Sequence, residues 1–249
     1  MGNSAPIKGV LATTDVEIAL SAKVTLDTSM KETGIRAEIS AMRRSYGEVG
    51  LEKLPADPLT LFEEWMAAAA ANEIIVEANA MVLSTADGSG EITTRTVLLK
   101  DISLGGFTFF TNYSSRKAQA IAMNSQVTLL FPWYAMERQV IISGQADKIS
   151  REESENYFAT RPWSSQIGAW ASVQSAPLAS REELEMRFQG AAEKWPEGSV
   201  VPTPPHWGGF RVIPDSIEYW QGRYSRLHDR IRYHRASAKS DWEMQRYFP

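Results

Sequence analysis

Ala80-Met-Val-Leu-Ser-Thr85, then Asp87-Gly-Ser-Gly90, then Glu91-Ile-Thr-Thr-Arg95-Thr-Val-Leu-Leu-Lys100 is the stretch that decides the fold class. Two β-rich runs flank a four-residue turn signal, the pattern of a hairpin. Further strand patterns follow at similar spacing, over Phe107–Thr111, Val127–Tyr134 and Arg138–Ile149, and again over Trp207–Trp220 and Arg226–Arg235. Closely spaced strands with short connections predict an antiparallel barrel or sandwich. Working outward, Asp57-Pro58 opens a helix in which Leu61, Phe62, Trp65 and Met66 recur at helical spacing. Ser150-Arg-Glu-Glu153 and Ser180-Arg-Glu-Glu183 read as capping boxes opening two more, the second with Leu184, Phe188, Ala191 and Trp195 on one face. Pro196–Pro205 reads as a loop, and the chain ends at Trp242–Pro249. The expected class is α+β: residues 1–40 a flexible or loosely docked extension, residues 41–249 one domain centred on a barrel.

Composition narrows the chemistry. The 249 residues carry a net charge of −4, so the overall field favours neither nucleic acid nor an anionic membrane, and an anion site has to be built locally. Cysteine is absent, which removes disulfides, thiolate catalysis and thiolate-bound zinc. The three histidines, His206, His228 and His234, form no ligand pair at helical spacing, and no metal site is expected. No apolar run reaches the ~20 residues of a membrane helix, and the mixed charges near the N-terminus fit neither a signal nor a transit peptide. A cytoplasmic protein is the expectation.

Four segments concentrate groups that attract anions. In Thr111-Asn-Tyr-Ser-Ser-Arg-Lys117 a strand ends and a helix begins, with Ser115 placed to cap and Arg116 and Lys117 in the first turn. Cations there oppose the helix dipole unless an anion is bound. In Arg95–Lys100 the odd spacing predicts that the two cations face opposite sides of the strand, and so different anions. Tyr157 and Arg161 share a helix face, and Pro162 turns the chain so that Ser164 and Ser165 converge on them. In Arg226-Leu-His-Asp-Arg230-Ile-Arg-Tyr-His-Arg235 an unbroken strand puts Arg226, His228, Arg230, Arg232 and His234 on one face. Each segment also has a plainer reading, as solvated surface charge, an ordinary helix end or a wet edge strand. Together they favour one or two phosphate-bearing ligands. With neither GxGxxG nor GxxxxGK[ST] in the chain, and no thiol or metal set, difficult chemistry would fall to a bound organic cofactor.

In order along the chain stand Arg95–Lys100, Phe110-Thr-Asn112, Ser115-Arg-Lys117, Glu137-Arg-Gln-Val140 and Ser164-Ser-Gln-Ile-Gly168. Val173-Gln-Ser175, Trp207-Gly-Gly-Phe210, Trp220-Gln-Gly222 and Arg226-Leu-His-Asp-Arg230 complete the set. From about Met42 to Pro249 this set closely resembles the pyridoxine 5′-phosphate oxidase family. The resemblance implies an FMN-binding split β-barrel with peripheral helices, a homodimer with FMN between the subunits, and oxidation of pyridoxine or pyridoxamine 5′-phosphate to pyridoxal 5′-phosphate. Hydride would pass from substrate C4′ to flavin N5, with O₂ reoxidising the flavin to give H₂O₂. Carried over by position, Arg95, Lys117 and Ser175 match ligands of the FMN phosphate, with Arg116 and Gln174 beside them. Gln139, Trp220 and Arg230 match the rest of the flavin site, and Val97, Leu98, Phe110 and Thr111 match backbone contacts to it. Lys100, Tyr157, Arg161 and Ser165 match the clamp on the substrate phosphate. Arg226 and His228 match the catalytic residues over the pyridine ring, and Arg43 and Tyr46 a segment closing over the site. Trp163 departs from the family, which often has a basic residue there. A split-barrel flavoenzyme with another substrate, or a non-catalytic flavin or pyridoxal phosphate binder, remain the alternatives.

Overall fold

The computed structural model describes residues 38–42 and 45–249; of the extension expected over 1–40, residues 1–37 lie outside the described residues, as does the candidate residue Arg43. Residues 38–41 form a helical turn. Ser45–Pro249 is a compact unit in its own right.

That unit is built on nine antiparallel strands. They are β1 (Ala80–Ala86), β2 (Ile92–Leu98), β3 (Asp101–Ser103), β4 (Gly106–Asn112), β5 (Gln126–Trp133), β6 (Arg138–Lys148), β7 (Trp207–Gln221), β8 (Asp229–His234) and β9 (Glu243–Tyr247). The main path runs β2-β1-β5-β6-β7-β4-β3, with β8 and β9 added beside β7. Along β1 and β5 every second residue is buried, which sends Met81, Leu83, Val127, Leu129, Phe131 and Trp133 into the core. β7 is the hinge of the architecture. One edge pairs with β6 over most of its length, while the other pairs with β4 through Trp207–Val212 and then with β8 through Ser216–Gln221. The ladder slips between Ser143 and Gly144, opposite Pro214, a residue that has no N–H to donate and so sits at the irregularity. Gly144 is required there, because a Cβ would come within 2.1 Å of the Ile213 carbonyl oxygen. Extra twist at that point curls the sheet into a half-barrel.

Helix α1 (Pro58–Ala70) caps the core, its N-terminus held by the Asp57 side chain accepting the Leu59 N–H. Leu61, Phe62, Trp65 and Ala69 form its buried face, and the Phe62 ring meets Phe107, Phe131 and Trp133 at centroid distances of 4.9–5.9 Å. Because Phe62 is fully buried among three rings, Phe62→Ala is expected to lower unfolding free energy by about 3–5 kcal/mol, read as a shifted urea midpoint with an unchanged slope.

The remaining helices are α2 (Arg116–Met123), α3 (Arg151–Ala159), α4 (Trp163–Ala171) and α5 (Arg181–Lys194). Ser150 and Glu153 form the full reciprocal capping box of α3. The expected box on α5 is half made: Ser180 Oγ accepts the Glu183 N–H, but the Glu183 carboxylate turns forward to Arg187. Pro196–Pro205 is irregular, as its prolines predict. Helix α4 is not signalled by periodicity. Its register is set by Pro162, whose carbonyl accepts the Ser165 and Gln166 N–H groups.

Candidate active site

A cleft of about 810 Å³ opens between β2, β4, α2, α3 and α4. Arg95, Val97, Leu98, Lys100, Phe110, Thr111, Lys117, Tyr157, Arg161, Ser165 and Gln174 all line it, so eleven of the residues singled out in the sequence converge there. Arg95 and Lys100 share this one cleft, against the parity expectation. The physical reason is that β2 ends at Leu98: Leu99 and Lys100 turn to pair with Asn79 and Thr108, so alternation does not extend to Lys100.

The two basic residues that open α2 divide. Lys117 enters the cleft and donates to Thr111 Oγ1 at 3.1 Å and Gln174 Oε1 at 3.0 Å, both neutral acceptors. Burial, reinforced by the nearby Arg95 charge, lowers its pKa to about 8. Ser115 occupies the cap position without its side chain closing a cap bond, which leaves the first N–H groups of α2 without that acceptor. Arg116 is not part of the cleft lining; its guanidinium is ion-paired with Glu91 beside the β1–β2 hairpin. Arg95 is held from behind by the Leu83 carbonyl and the Thr85 hydroxyl of β1 and by Thr93, two residues earlier on its own strand; the β1 partners carry no spacing signal in the sequence.

Arg161 lies over the rings of Trp207 and Phe158, at 4.8 and 5.5 Å, and its Nη1 is buried with no hydrogen-bond partner. Burial lowers its pKa, yet guanidinium remains charged. Beside it Phe110, Tyr157 and Trp207 form an aromatic slab, with interplanar angles of 4–13°. Burial also raises the Tyr157 pKa, so its hydroxyl stays a donor. Among the described residues, none of Arg95, Lys100, Lys117 and Arg161 is paired with a carboxylate. Cations without a carboxylate partner around a partly enclosed cleft favour the entry of an anion.

Ser175 sits just outside this lining, exposed and with φ of 74°. Gln139, Trp220, Arg230, Arg226, His228 and Tyr46 do not line the cleft either. Sheet register puts Gln139, Trp220 and Arg230 side by side on β6, β7 and β8. Tyr46 meets Trp220 and His228 edge-on at 5.7 and 5.4 Å, and Trp220 lies 4.7 Å from His228. A Cβ at Gly222 would meet the Tyr46 ring at 2.9 Å, so glycine permits this approach. The Arg223 N–H donates to His228 Nδ1 at 3.0 Å, leaving Nε2 to carry the proton of the neutral ring. Slight burial and the Arg226 charge lower the His228 pKa, which keeps the ring neutral at pH 7.

One expectation is corrected here. Arg226 and His228 precede β8 rather than belonging to it, because Tyr224–Arg226 is a 3-10 turn with positive φ at Ser225 and Arg226. The five-cation strand face therefore does not exist. Of its remaining members, Arg230 and Arg232 share the single carboxylate of buried Glu218, and His234 Nε2 lies 3.3 Å from Glu243 Oε2.

A curled antiparallel half-barrel with an anion-receptive cleft on its flank defines a protein of the split-barrel class. Residues 67–195 match the family described as pyridoxamine 5′-phosphate oxidase, and residues 207–249 match its pyridoxine 5′-phosphate oxidase C-terminal dimerisation region. The pyridoxine/pyridoxamine 5′-phosphate oxidase of Streptomyces avermitilis is 48% identical over 215 residues, covering 84% of this chain and 96% of the relative. That of Shewanella sediminis is 46% identical, covering 86% and 100%. PhzG from Burkholderia lata, solved with tetrahydrophenazine-1-carboxylic acid, superposes with a TM-score of 0.75 at 29% identity, covering 82% of this chain and 99% of that one. An FMN-binding protein from Nostoc punctiforme, at 15% identity and a TM-score of 0.63 over 79% of this chain and 100% of that one, shares the fold. The chain belongs to the pyridoxine/pyridoxamine 5′-phosphate oxidase family and is an oxidoreductase.

Proposed function

We propose that this protein is an FMN-dependent oxidase, acting in the cytoplasm, that converts pyridoxine 5′-phosphate and pyridoxamine 5′-phosphate to pyridoxal 5′-phosphate, with O₂ consumed and H₂O₂ released. The observation that carries this reading is the cleft in which Arg95, Lys100, Lys117 and Arg161 gather without a carboxylate, against an aromatic slab. That donor set fits two phosphates. Arg95, Lys117 and Gln174, with Ser175 at the margin, would hold the FMN phosphate, and the backbone at Val97, Leu98, Phe110 and Thr111 would border the flavin. Lys100, Tyr157, Arg161 and Ser165 would hold the substrate phosphate, Ser165 from the first turn of α4.

FMN supplies the two-electron redox chemistry when bound, and the protein's own contribution is position and charge. The Gln139–Trp220–Arg230 row and the Arg226–His228 pair lie outside the lining of this chain's cleft. We therefore infer a homodimer in which one protomer supplies the cleft and the other this second group, in keeping with the dimerisation region matched at 207–249. Arg226, a fixed cation, would orient the substrate ring, and neutral His228 would donate from Nε2. Arg230 would favour negative charge on the reduced flavin.

Purified protein is expected to be yellow with a flavin spectrum, and to bleach anaerobically when pyridoxine 5′-phosphate is added. A colourless protein that FMN cannot reconstitute refutes the reading. A yellow protein that does not bleach points to another substrate or to a carrier.

A further inference from the structure

Of the two cations in the first turn of α2, Arg116 does not line the cleft, and what it touches instead belongs to the β1–β2 hairpin. Its guanidinium pairs with Glu91, immediately before β2, at side-chain exposures of 59% and 60%. It nevertheless stays close to the cleft: its charge depresses the pKa of Arg95, which lines the cleft, and its sequence neighbour Lys117 is inside. The hairpin that carries Glu91 is firmly set. Asp87 Oδ1 accepts the Ser89 and Glu91 N–H groups and the Ser89 hydroxyl, which fixes where the Glu91 backbone stands. So a rigid turn presents a carboxylate to a long, mobile-headed arginine at the rim of an anion site.

We propose that Glu91 is a positioning residue that retains Arg116 outside the flavin-phosphate subsite, competing with the phosphate for the same guanidinium. The inference rests on the FMN reading above. A phosphate drawn in by Arg95 and Lys117 attracts Arg116 as well, and for the arginine to answer it must leave Glu91. An exposed ion pair is weak and salt-screened, so this exchange is reversible. Glu91 thereby makes the apo site less cationic and lowers its affinity for phosphate-bearing ligands by a few-fold. Loss of the carboxylate frees the guanidinium, whereas loss of the arginine makes the carboxylate irrelevant.

The test measures dissociation constants of FMN and of riboflavin, which has no phosphate, for apo protein at low ionic strength by quenching of flavin fluorescence. Wild type, Glu91→Gln, Arg116→Ala and the double variant are compared. Glu91→Gln is expected to tighten FMN two- to fivefold and leave riboflavin unchanged, and the gain should vanish in the Arg116→Ala background. A gain that persists without Arg116 would mean simple repulsion between carboxylate and phosphate, and overturns the proposal. So does an unchanged or weakened FMN constant, or an equal shift for both flavins. If wild type itself shows no preference for FMN over riboflavin, the FMN reading fails and the retention role falls with it; a normal preference with an inert Glu91→Gln removes the retention role alone.

Discussion

Arg161→Met should cost the enzyme about two to three orders of magnitude in kcat/KM for pyridoxine 5′-phosphate while leaving the apo fold at least as stable as before. These opposite effects have one origin. In the ligand-free protein Arg161 is a half-buried cation whose Nη1 is buried and unpartnered, packed over Trp207 and Phe158. An unsatisfied buried donor costs about 1–3 kcal/mol, and methionine keeps most of the apolar stem without that cost. At roughly 2–4 °C per kcal/mol for a chain of this size, the apo Tm should hold or rise by a few degrees. In the reading proposed above the guanidinium would be a charge-assisted donor to the substrate phosphate in a partly enclosed cleft, where truncation typically costs about 2–5 kcal/mol. Most of the loss should appear as a raised KM, since the phosphate is held in ground state and transition state alike. The measurements are steady-state kinetics and a thermal melt of the apo protein. An unchanged KM, or an apo Tm lowered by several degrees, would place Arg161 in the scaffold instead.

The second large effect is a pH dependence centred on Lys117. Its pKa falls from 10.5 to about 8 in the ligand-free protein, through burial and the Arg95 charge. Between those two values the unfolded chain holds the proton and the native chain does not. The unfolded state binds more protons there, so this group makes the apo protein more stable as pH rises from about 8 to 10.5. Below about 8 both states are protonated and the native state carries the full burial cost. Ligand binding has the reverse sign. A phosphate dianion pulls the Lys117 pKa back up, so the complex holds a proton that the free protein has lost. FMN affinity is therefore expected to be flat with respect to this group below pH 8 and to fall by up to tenfold per pH unit above it. Lys117→Met should weaken FMN binding at pH 7 by one to two orders of magnitude and abolish that slope. Titration of apo protein with FMN from pH 6.5 to 9.5 decides the matter. A slope that survives in Lys117→Met would assign it to another group.

Which features were legible depended on how local their cause was. The hairpin at 80–100 was readable because its strands alternate and its turn residues are diagnostic, and α1 because Asp57-Pro58 and an apolar stripe act within a few residues of one another. The Ser150 box closed as written, since both partners lie three residues apart. Errors arose where a distant partner intervened. Lys100 changed face because β2 stopped at Leu98 to let the chain pair with β4. The 226–235 run broke because positive φ at Ser225 and Arg226 turned the backbone, and Glu218, from another strand, absorbed two of its charges. The pairing of Arg116 with Glu91, 25 residues away in sequence, likewise has no local signal.

By itself the sequence pointed to which chemistry the protein could host: four segments rich in cations and hydroxyls, no thiol, no expected metal set, and hence phosphates and a borrowed cofactor. Residue type is enough for that, because charge and nucleophilicity belong to the side chain whatever its neighbours. Only the tertiary structure decided that Arg95 and Lys100 open on one cleft, that Arg161 is left unpaired there, and that Gln139, Trp220 and Arg230 form a separate row. Desolvation and partner choice depend on which strands and helices lie side by side, and those contacts are set by packing across the whole sheet rather than by neighbours along the chain.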